Sequence, residues 1–342
     1  MKSIVTGGAG FIGSHLVDAL LGLKHEVTVL DNLSTGRLEN IAHVSDKIRL
    51  IKCDLGTAGA WADEFKGVDW LFHLAALADI VPSIQQPDAY FRANVDGTFN
   101  VLRASQAAEI DRFVYVASSS SYGIPDVYPT PESSEIRPQY PYALTKHLGE
   151  ELVLHWAKVY RLPALALRFF NVYGPRSRTS GTYGAVFGVF LAQKLAGRPF
   201  TVVGDGEQTR DFTYVTDVVD ALIAAAKSNH LGRTYNVGSG TTVSVNRLVD
   251  LLGGDKVHIP KRPGEPECTF ADISRIQLEL GWKPKVSIER GVAELLKNID
   301  YWDQAPVWTS ENIAEATQDW FRYLGNNDVS CKRFVRCCSQ LG

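Results

Sequence analysis

The chain opens on a short apolar run that turns at once into glycine. SIVTGGAGFIGSHL sets Gly7, Gly10 and Gly13 between a strand and a helix. A strand ending in a tight glycine turn and feeding a helix aims the first free amides of that helix at whatever binds in front of it. Backbone without side chains lets a phosphate come close. A dinucleotide, with its pyrophosphate, is the ligand this arrangement suits. The same glycines also occur as a plain turn between buried elements, so the rest of the chain has to decide.

Up to about residue 170 the chain alternates short β-branched runs with helical spacing. SIVTG, EVTVLDN, IRLIKCD, VDWLFHLAA, RFVYVASSS and LALRFFNVYG read as buried parallel strands, and SHLVDALLG, TFNVLRASQAAE and KHLGEELVLHWAKVY as helices between them. This predicts an α/β fold with a Rossmann-type doubly wound parallel sheet, and ligands at the carboxyl ends of its strands. Residues 1–175 are expected to form the main, cofactor-binding domain. Residues 176–305 read as a smaller, irregular, substrate-binding domain with at least one element, RTYNVG, returning to the main sheet. Residues 306–342 are expected to be a peripheral extension. ENIAEATQDWFRYLG there has helical spacing, and no chemistry is assigned to it.

Asp31 ends the second run, in VTVLDNLSTG. A carboxylate there accepts hydrogen bonds from a ribose diol and repels an added 2′-phosphate. No arginine follows it directly, and Arg37 lies further along, so the expected cofactor is NAD rather than NADP. Asp54, after the IRLIKC run, is placed either to meet an adenine amino group or to hold a turn.

The chemistry is expected between Ser118 and Lys146. In PYALTK, Tyr142 and Lys146 stand one helical turn apart on one face. A phenol with its ordinary pKa of about 10 is a weak base at neutral pH. A nearby ammonium and the positive ring of an oxidised nicotinamide both favour the phenolate. VYVASSSSYG is a buried strand ending in four hydroxyls where a sheet meets its ligand crevice. Ser118 is expected to hold a substrate oxygen against Tyr142, with Ser119 in support.

Together these segments resemble the extended short-chain dehydrogenase/reductase family, specifically the nucleotide-sugar 4-epimerases acting on UDP-hexoses. The resemblance spans roughly residues 1–300 and is carried by TGGAGFIGSHL, LDNLSTG, CDL, FHLAA, ANVDGTFNVL, VASSSSYG, PYALTK, RFFNVYGPR, GDGEQTRDFTYV and RPGEPECTFADISR. It implies that Gly7, Phe11, Ile12, Asp31, Asn32, Asp54, Leu55, Leu74, Ala75, Ala76 and Asn94 line NAD. Tyr142 would be the catalytic base, Lys146 its electrostatic partner and a ribose contact, and Ser118 the assisting hydroxyl. Asn171 and Val186 would contact the substrate, Arg210 and Arg262 would hold its diphosphate, and Glu265 would stand near the nucleotide ribose. Thr269 falls where a bulky aromatic restricts some of these enzymes to non-acetylated sugars, so it and the segment around SGTYGAVF point to UDP-N-acetylglucosamine and UDP-N-acetylgalactosamine, with UDP-glucose and UDP-galactose as further substrates. A homodimer built on helices near residues 95–108 and 143–158 is also implied.

The alternatives are a 4,6-dehydratase, a UDP-uronic acid 4-epimerase or decarboxylase, and a non-catalytic NAD-binding sensor. Dehydratases of this family carry Thr-Asp-Glu where this chain has Ser118, Ser119 and Ser120, so the acid and base for elimination are missing.

Composition narrows the field further. A formal charge of -3 over 342 residues gives no electrostatic case for nucleic acid. Apolar runs are broken well short of a membrane span, and the first strand begins almost at Met1, so neither membrane insertion nor a signal peptide is expected. Five scattered cysteines (Cys53, Cys268, Cys331, Cys337 and Cys338) without a CxxC pair favour a reducing cytoplasm and no metal site.

Overall fold

All six apolar runs of the first half become parallel strands: β1 (Lys2–Thr6), β2 (Glu26–Asp31), β3 (Ile48–Lys52), β4 (Trp70–His73), β5 (Arg112–Ser118) and β6 (Ala164–Phe169). The computed structural model describes residues 1–177 and 185–325. A seventh strand, Thr234–Val237, arrives from far along the chain and pairs parallel with β6, from Thr234 against Ala166 to Val237 against Phe169. The sheet runs Thr234–Val237, β6, β5, β4, β1, β2, β3. β1 lies between β2 and β4, so the winding reverses there and a crevice opens at the carboxyl ends of the strands.

Alternation along the strands divides the side chains between two helical layers. Val5, Val29, Phe72, Val114 and Leu167 pack on one face against Leu16 and Val17 of helix Phe11–Gly22 and Val218 and Leu222 of helix Val215–Lys227. Their neighbours Ile4, Leu30, Leu71, Phe113 and Ala166 pack on the other face against Val101, Val153 and Trp156. The IRLIKCD run departs from expectation. It forms the sheet edge, and Arg49, Leu50 and Lys52 are exposed. LALRFFNVYG is not one strand either. The chain leaves β6 at Phe169, and Val172–Tyr173 pairs instead with Thr213–Tyr214.

The rest of the chain builds its own aromatic core, with Tyr173, Phe187, Phe190, Phe200, Phe212 and Trp302 buried together. Strand Phe200–Val203 pairs with Lys256–Ile259, and Thr209–Arg210 with Val243–Ser244. ENIAEATQDWFRYLG forms two short helices, Ser310–Ala316 and Gln318–Leu324, the first closed by a capping box at Thr309. Trp320 is buried in this segment. Among the described residues no helix is long and apolar enough to cross a membrane, and no His, Cys, Asp and Glu cluster could hold a metal.

One buried ion pair ties the long helix Pro141–Val159 to the sheet. Arg168 on β6 donates to both carboxylate oxygens of Glu150, at 2.9 and 2.7 Å, and Thr234 Oγ1 donates to the same carboxylate at 2.9 Å. Removing one member of such a pair strands the other charge out of water. Arg168→Ala is expected to cost about 3–5 kcal/mol of folding stability, read by chemical denaturation. A loss below about 1 kcal/mol, the range of exposed pairs, would show that the pair does not anchor the helix.

Candidate active site

A cavity of about 610 Å³ opens at the switch point, between the sheet and the second core. Its inner wall contains Gly7, Gly10, Phe11, Ile12, Gly13, Asp31, Asn32, Asp54, Leu55, Leu74, Ala75 and Ala76. These twelve are the residues singled out from the sequence for NAD, apart from Asn94, Tyr142 and Lys146. Gly7 holds φ +70, a conformation that side chains disfavour, and a Cβ on Gly13 would run into the Gly7 carbonyl oxygen. Gly10 is the N-cap of helix Phe11–Gly22, and it lines the cavity together with Phe11 and Ile12 of the first turn.

Asp31 is 7% exposed. Its carboxylate accepts from the Ala9 amide at 3.0 Å and the Leu33 amide at 2.8 Å, which leaves lone pairs for a diol. Burial pushes its pKa up, and the two amides pull it back. Arg37 also lines the cavity. Its guanidinium lies 5.2 Å from the centroid of the Tyr301 ring and pairs with Glu39 at 3.6 Å. Asp54 serves the turn as well as the wall: it accepts from the Gly56 amide at 2.9 Å and from Arg92 Nη2 at 2.7 Å. Asn32 accepts from the Ser34 amide at 2.9 Å.

Asn94 stands behind the wall rather than on it. It is 1% exposed, accepts from the Leu77 amide at 2.8 Å, and donates to Leu77 O and Thr145 Oγ1 at 3.0 Å each. It therefore holds the Leu74–Asp79 segment in place. The cavity wall also takes in residues that the sequence analysis did not assign to it, among them Ser34–Gly36, Arg92, Phe187, Pro306 and Trp308. Pro306 and Trp308 come from a distant segment with no glycine or polar signature, whereas Phe187 closes the SGTYGAVF segment.

Tyr142 OH donates to Ser118 Oγ at 3.2 Å, at the carboxyl end of β5. Ser118 Oγ shares a further hydrogen bond with Ser120 Oγ at 2.8 Å, so the support expected from Ser119 comes from Ser120. The strand ends at Ser118, and the 3-10 turn Ser119–Tyr122 brings Ser120 back beside it. Burial raises the Tyr142 pKa, the Ser118 hydroxyl lowers it, and the Asp79 carboxylate raises it. Lys146 follows one helical turn after Tyr142, on the same helix Pro141–Val159. It is 4% exposed, with its Nζ 4.5 Å from the centroid of the Tyr115 ring, and burial pushes its pKa down to about 7 while Glu150 raises it. The charge of Lys146 at neutral pH is thus set by how dry its pocket is.

A second group of polar residues gathers beyond Tyr142. Thr269 Oγ1 donates to Asn171 Oδ1 at 2.7 Å and accepts from the Asp211 amide at 3.1 Å. Arg210 Nη2 donates to Glu265 Oε1 at 2.9 Å, and Arg262 Nη1 lies 3.7 Å from Glu265 Oε2. That second oxygen is buried without a hydrogen-bond partner among the described residues. Two guanidiniums and one under-satisfied carboxylate suit a ligand bearing phosphates and hydroxyls. Val186 opens the helix Val186–Leu195, and its neighbours Ala185 and Phe187 line the cavity. Most of the SGTYGAVF segment lies outside the described residues, as do Cys331, Cys337 and Cys338.

A doubly wound sheet with a glycine cradle, a cavity-lining carboxylate at the end of β2 and a Ser-Tyr pair defines an NAD-dependent enzyme of the extended short-chain dehydrogenase/reductase class. Residues 3–238 match the NAD dependent epimerase/dehydratase family, and the chain belongs to it. The UDP-glucose 4-epimerase of Mycolicibacterium smegmatis is 38% identical over 309 residues, covering 87% of this chain and 98% of that protein. The solved UDP-N-acetylglucosamine 4-epimerase of Methanobrevibacter ruminantium, in complex with UDP-N-acetylmuramic acid, superposes with a TM-score of 0.83 at 35% identity, covering 88% of this chain and 97% of that one. The UDP-glucuronic acid 4-epimerase of Bacillus cereus, solved with UDP-glucuronic acid and NAD, gives 0.80 at 31% identity, over 89% and 99% of the two chains.

The depressed Lys146 pKa carries a stability consequence. Below about 7 the folded protein bears the full cost of burying that ammonium. Between pH 7 and the ordinary value of 10.5 the unfolded chain binds the extra proton, so the cost is relieved as pH rises. Cofactor-stripped Lys146→Met is expected to be more stable than the wild type at pH 6.5, with an advantage that shrinks toward pH 10. Parallel stability curves for the two proteins would contradict this.

Proposed function

We propose that this protein is an NAD-dependent nucleotide-sugar 4-epimerase that interconverts UDP-N-acetylglucosamine and UDP-N-acetylgalactosamine, and also turns over UDP-glucose and UDP-galactose. The observation that carries the reading is the Tyr142–Ser118 hydrogen bond at a strand end bearing only hydroxyls at 118–120, next to the Arg210, Arg262 and Glu265 group. Such a site can move a proton on and off a sugar hydroxyl. It holds no acid at that strand end to expel a second one.

Bound NAD would supply a reversible two-electron acceptor and, in its oxidised form, a positive charge. The protein does the rest. Ser118 Oγ orients the C4 hydroxyl, and Tyr142 takes its proton as the carbon is oxidised to a ketone. Arg210 and Arg262 hold the diphosphate and Glu265 accepts from the nucleotide ribose, so binding energy is concentrated away from the hexose. The hexose is then free to turn and present its other face before Tyr142 returns the proton. Burial raises the cost of charge on Tyr142 and Lys146 alike; a bound oxidised cofactor would favour the Tyr142 phenolate and further disfavour the Lys146 ammonium.

Thr269 is offered as the determinant of the N-acetyl preference. It is small, and its hydroxyl is committed to Asn171. The exposed Phe99 and Leu144 on helices Gly97–Ala107 and Pro141–Val159 are consistent with dimerisation through those helices.

Proton NMR of the NAD-loaded protein with UDP-N-acetylglucosamine, UDP-glucose and UDP-glucuronic acid tests the reading. The galacto epimer of the first two is expected, without net NADH. A 4-keto-6-deoxy sugar would make the protein a dehydratase, and a pentose from the uronic acid a decarboxylase. Thr269→Tyr is expected to lower kcat/KM for UDP-N-acetylglucosamine about tenfold or more relative to UDP-glucose, by filling space the acetamido group uses. Equal losses on both substrates would remove Thr269 from the account of specificity.

A further inference from the structure

Arg262 sits in a stretch of chain with little regular structure, between Ile259 and Ser274, interrupted by Pro263, Gly264 and Pro266. A long cationic side chain on such a loop loses much rotamer freedom when it clamps a phosphate. Here the freedom is already gone. The Arg262 guanidinium lies 5.4 Å from the centroid of the Trp320 ring, and Trp320 Nε1 donates to the carbonyl of Pro263 at 2.7 Å. One indole therefore grips both the charged head and the backbone beside it. Trp320 is itself fixed: it is 4% exposed, its ring lies 6.5 Å from that of Tyr140, and Tyr140 stacks on Tyr142 at 6.4 Å with the planes 9° apart. Asp319 beside it accepts from Gln85 Nε2 at 3.0 Å, across on the helix Ile80–Gln85.

We propose that helix Gln318–Leu324 is a working part of the substrate site, with Trp320 the positioning residue that presets Arg262 for the diphosphate of a nucleotide sugar. The inference rests on the nucleotide-sugar reading given above and adds a wall to that site from a segment to which the sequence assigned no chemistry. A Trp face is a favourable platform for a guanidinium, and orienting the guanidinium before the ligand arrives raises affinity without changing the chemical step. Trp320 therefore belongs to binding, and its removal acts on KM while kcat stays put.

The test is a double-mutant cycle on UDP binding by the NAD-loaded protein, measured by calorimetry on the wild type, Trp320→Ala, Arg262→Ala and the double variant. Trp320→Ala is expected to weaken UDP binding about tenfold, to leave kcat within about twofold, and to retain NAD. In the Arg262→Ala background the same change is expected to add nothing, because its effect passes through Arg262. Trp320→Leu, which fills the space without a ring face, is run through the same cycle and keeps the test intact should the alanine variant not fold. UDP binding unchanged by loss of the ring, or losses that multiply in the double variant, would overturn the role given to Trp320. A wild-type protein that binds NAD but no UDP would overturn the nucleotide-sugar reading itself, a result distinct from either.

Discussion

The site depends on how closely helix Pro141–Val159 lies against the sheet. A Cβ at Gly149 would run into the Tyr115 hydroxyl on β5, so glycine at that point sets the approach. Glu150, one residue on, is clamped by Arg168 from β6 and Thr234 from the returning strand. With the helix held at that depth, Tyr142 reaches Ser118 at the end of β5, and Lys146 is pressed over the Tyr115 ring. The strand carrying the serine and the helix carrying the phenol are thus joined by buried contacts on three strands. A catalytic hydrogen bond built on rigid elements in this way keeps its geometry without support from loops.

The closeness has an electrostatic cost that the chemistry uses. Burial raises the phenol of Tyr142 and lowers the ammonium of Lys146, so both groups favour their neutral forms while the pocket is dry. In such a site a positive charge brought next to the Tyr142 phenol favours loss of its proton, neutralising that charge favours its return, and Lys146 is held neutral by the same charge. Reversible oxidation of a carbinol requires that pattern, because the proton must be taken and then returned to the same oxygen.

The cofactor side was legible in the sequence because local chain geometry dictates it. A glycine turn between strand and helix, and an aspartate at the end of the next strand, hold their meaning wherever the rest of the chain goes. The helical spacing of Tyr142 and Lys146 was legible for the same reason, although spacing put them on one face and could not say that Lys146 would turn toward Tyr115. The hydrogen bonds by which Asn94 ties Leu77 to Thr145 were not legible, since its partners lie far along the chain. IRLIKCD has the apolar content of a central strand, yet strand order puts it at the edge. The least legible part was Trp320, whose role comes from contacts with Arg262, Pro263 and Tyr140, all more than fifty residues away in the chain.

The central claim is that one carbon is oxidised and reduced again within a single closed site. UDP-N-acetylglucosamine carrying deuterium at C4, converted in ordinary water and read by NMR and mass spectrometry, tests it most directly. The account predicts a galacto product that retains the deuterium at C4 and takes up none of the solvent's protons on carbon. Protium at C4, or deuterium moved to C6, would contradict it: the first means exchange with solvent, the second that the site eliminates water rather than inverting the carbon.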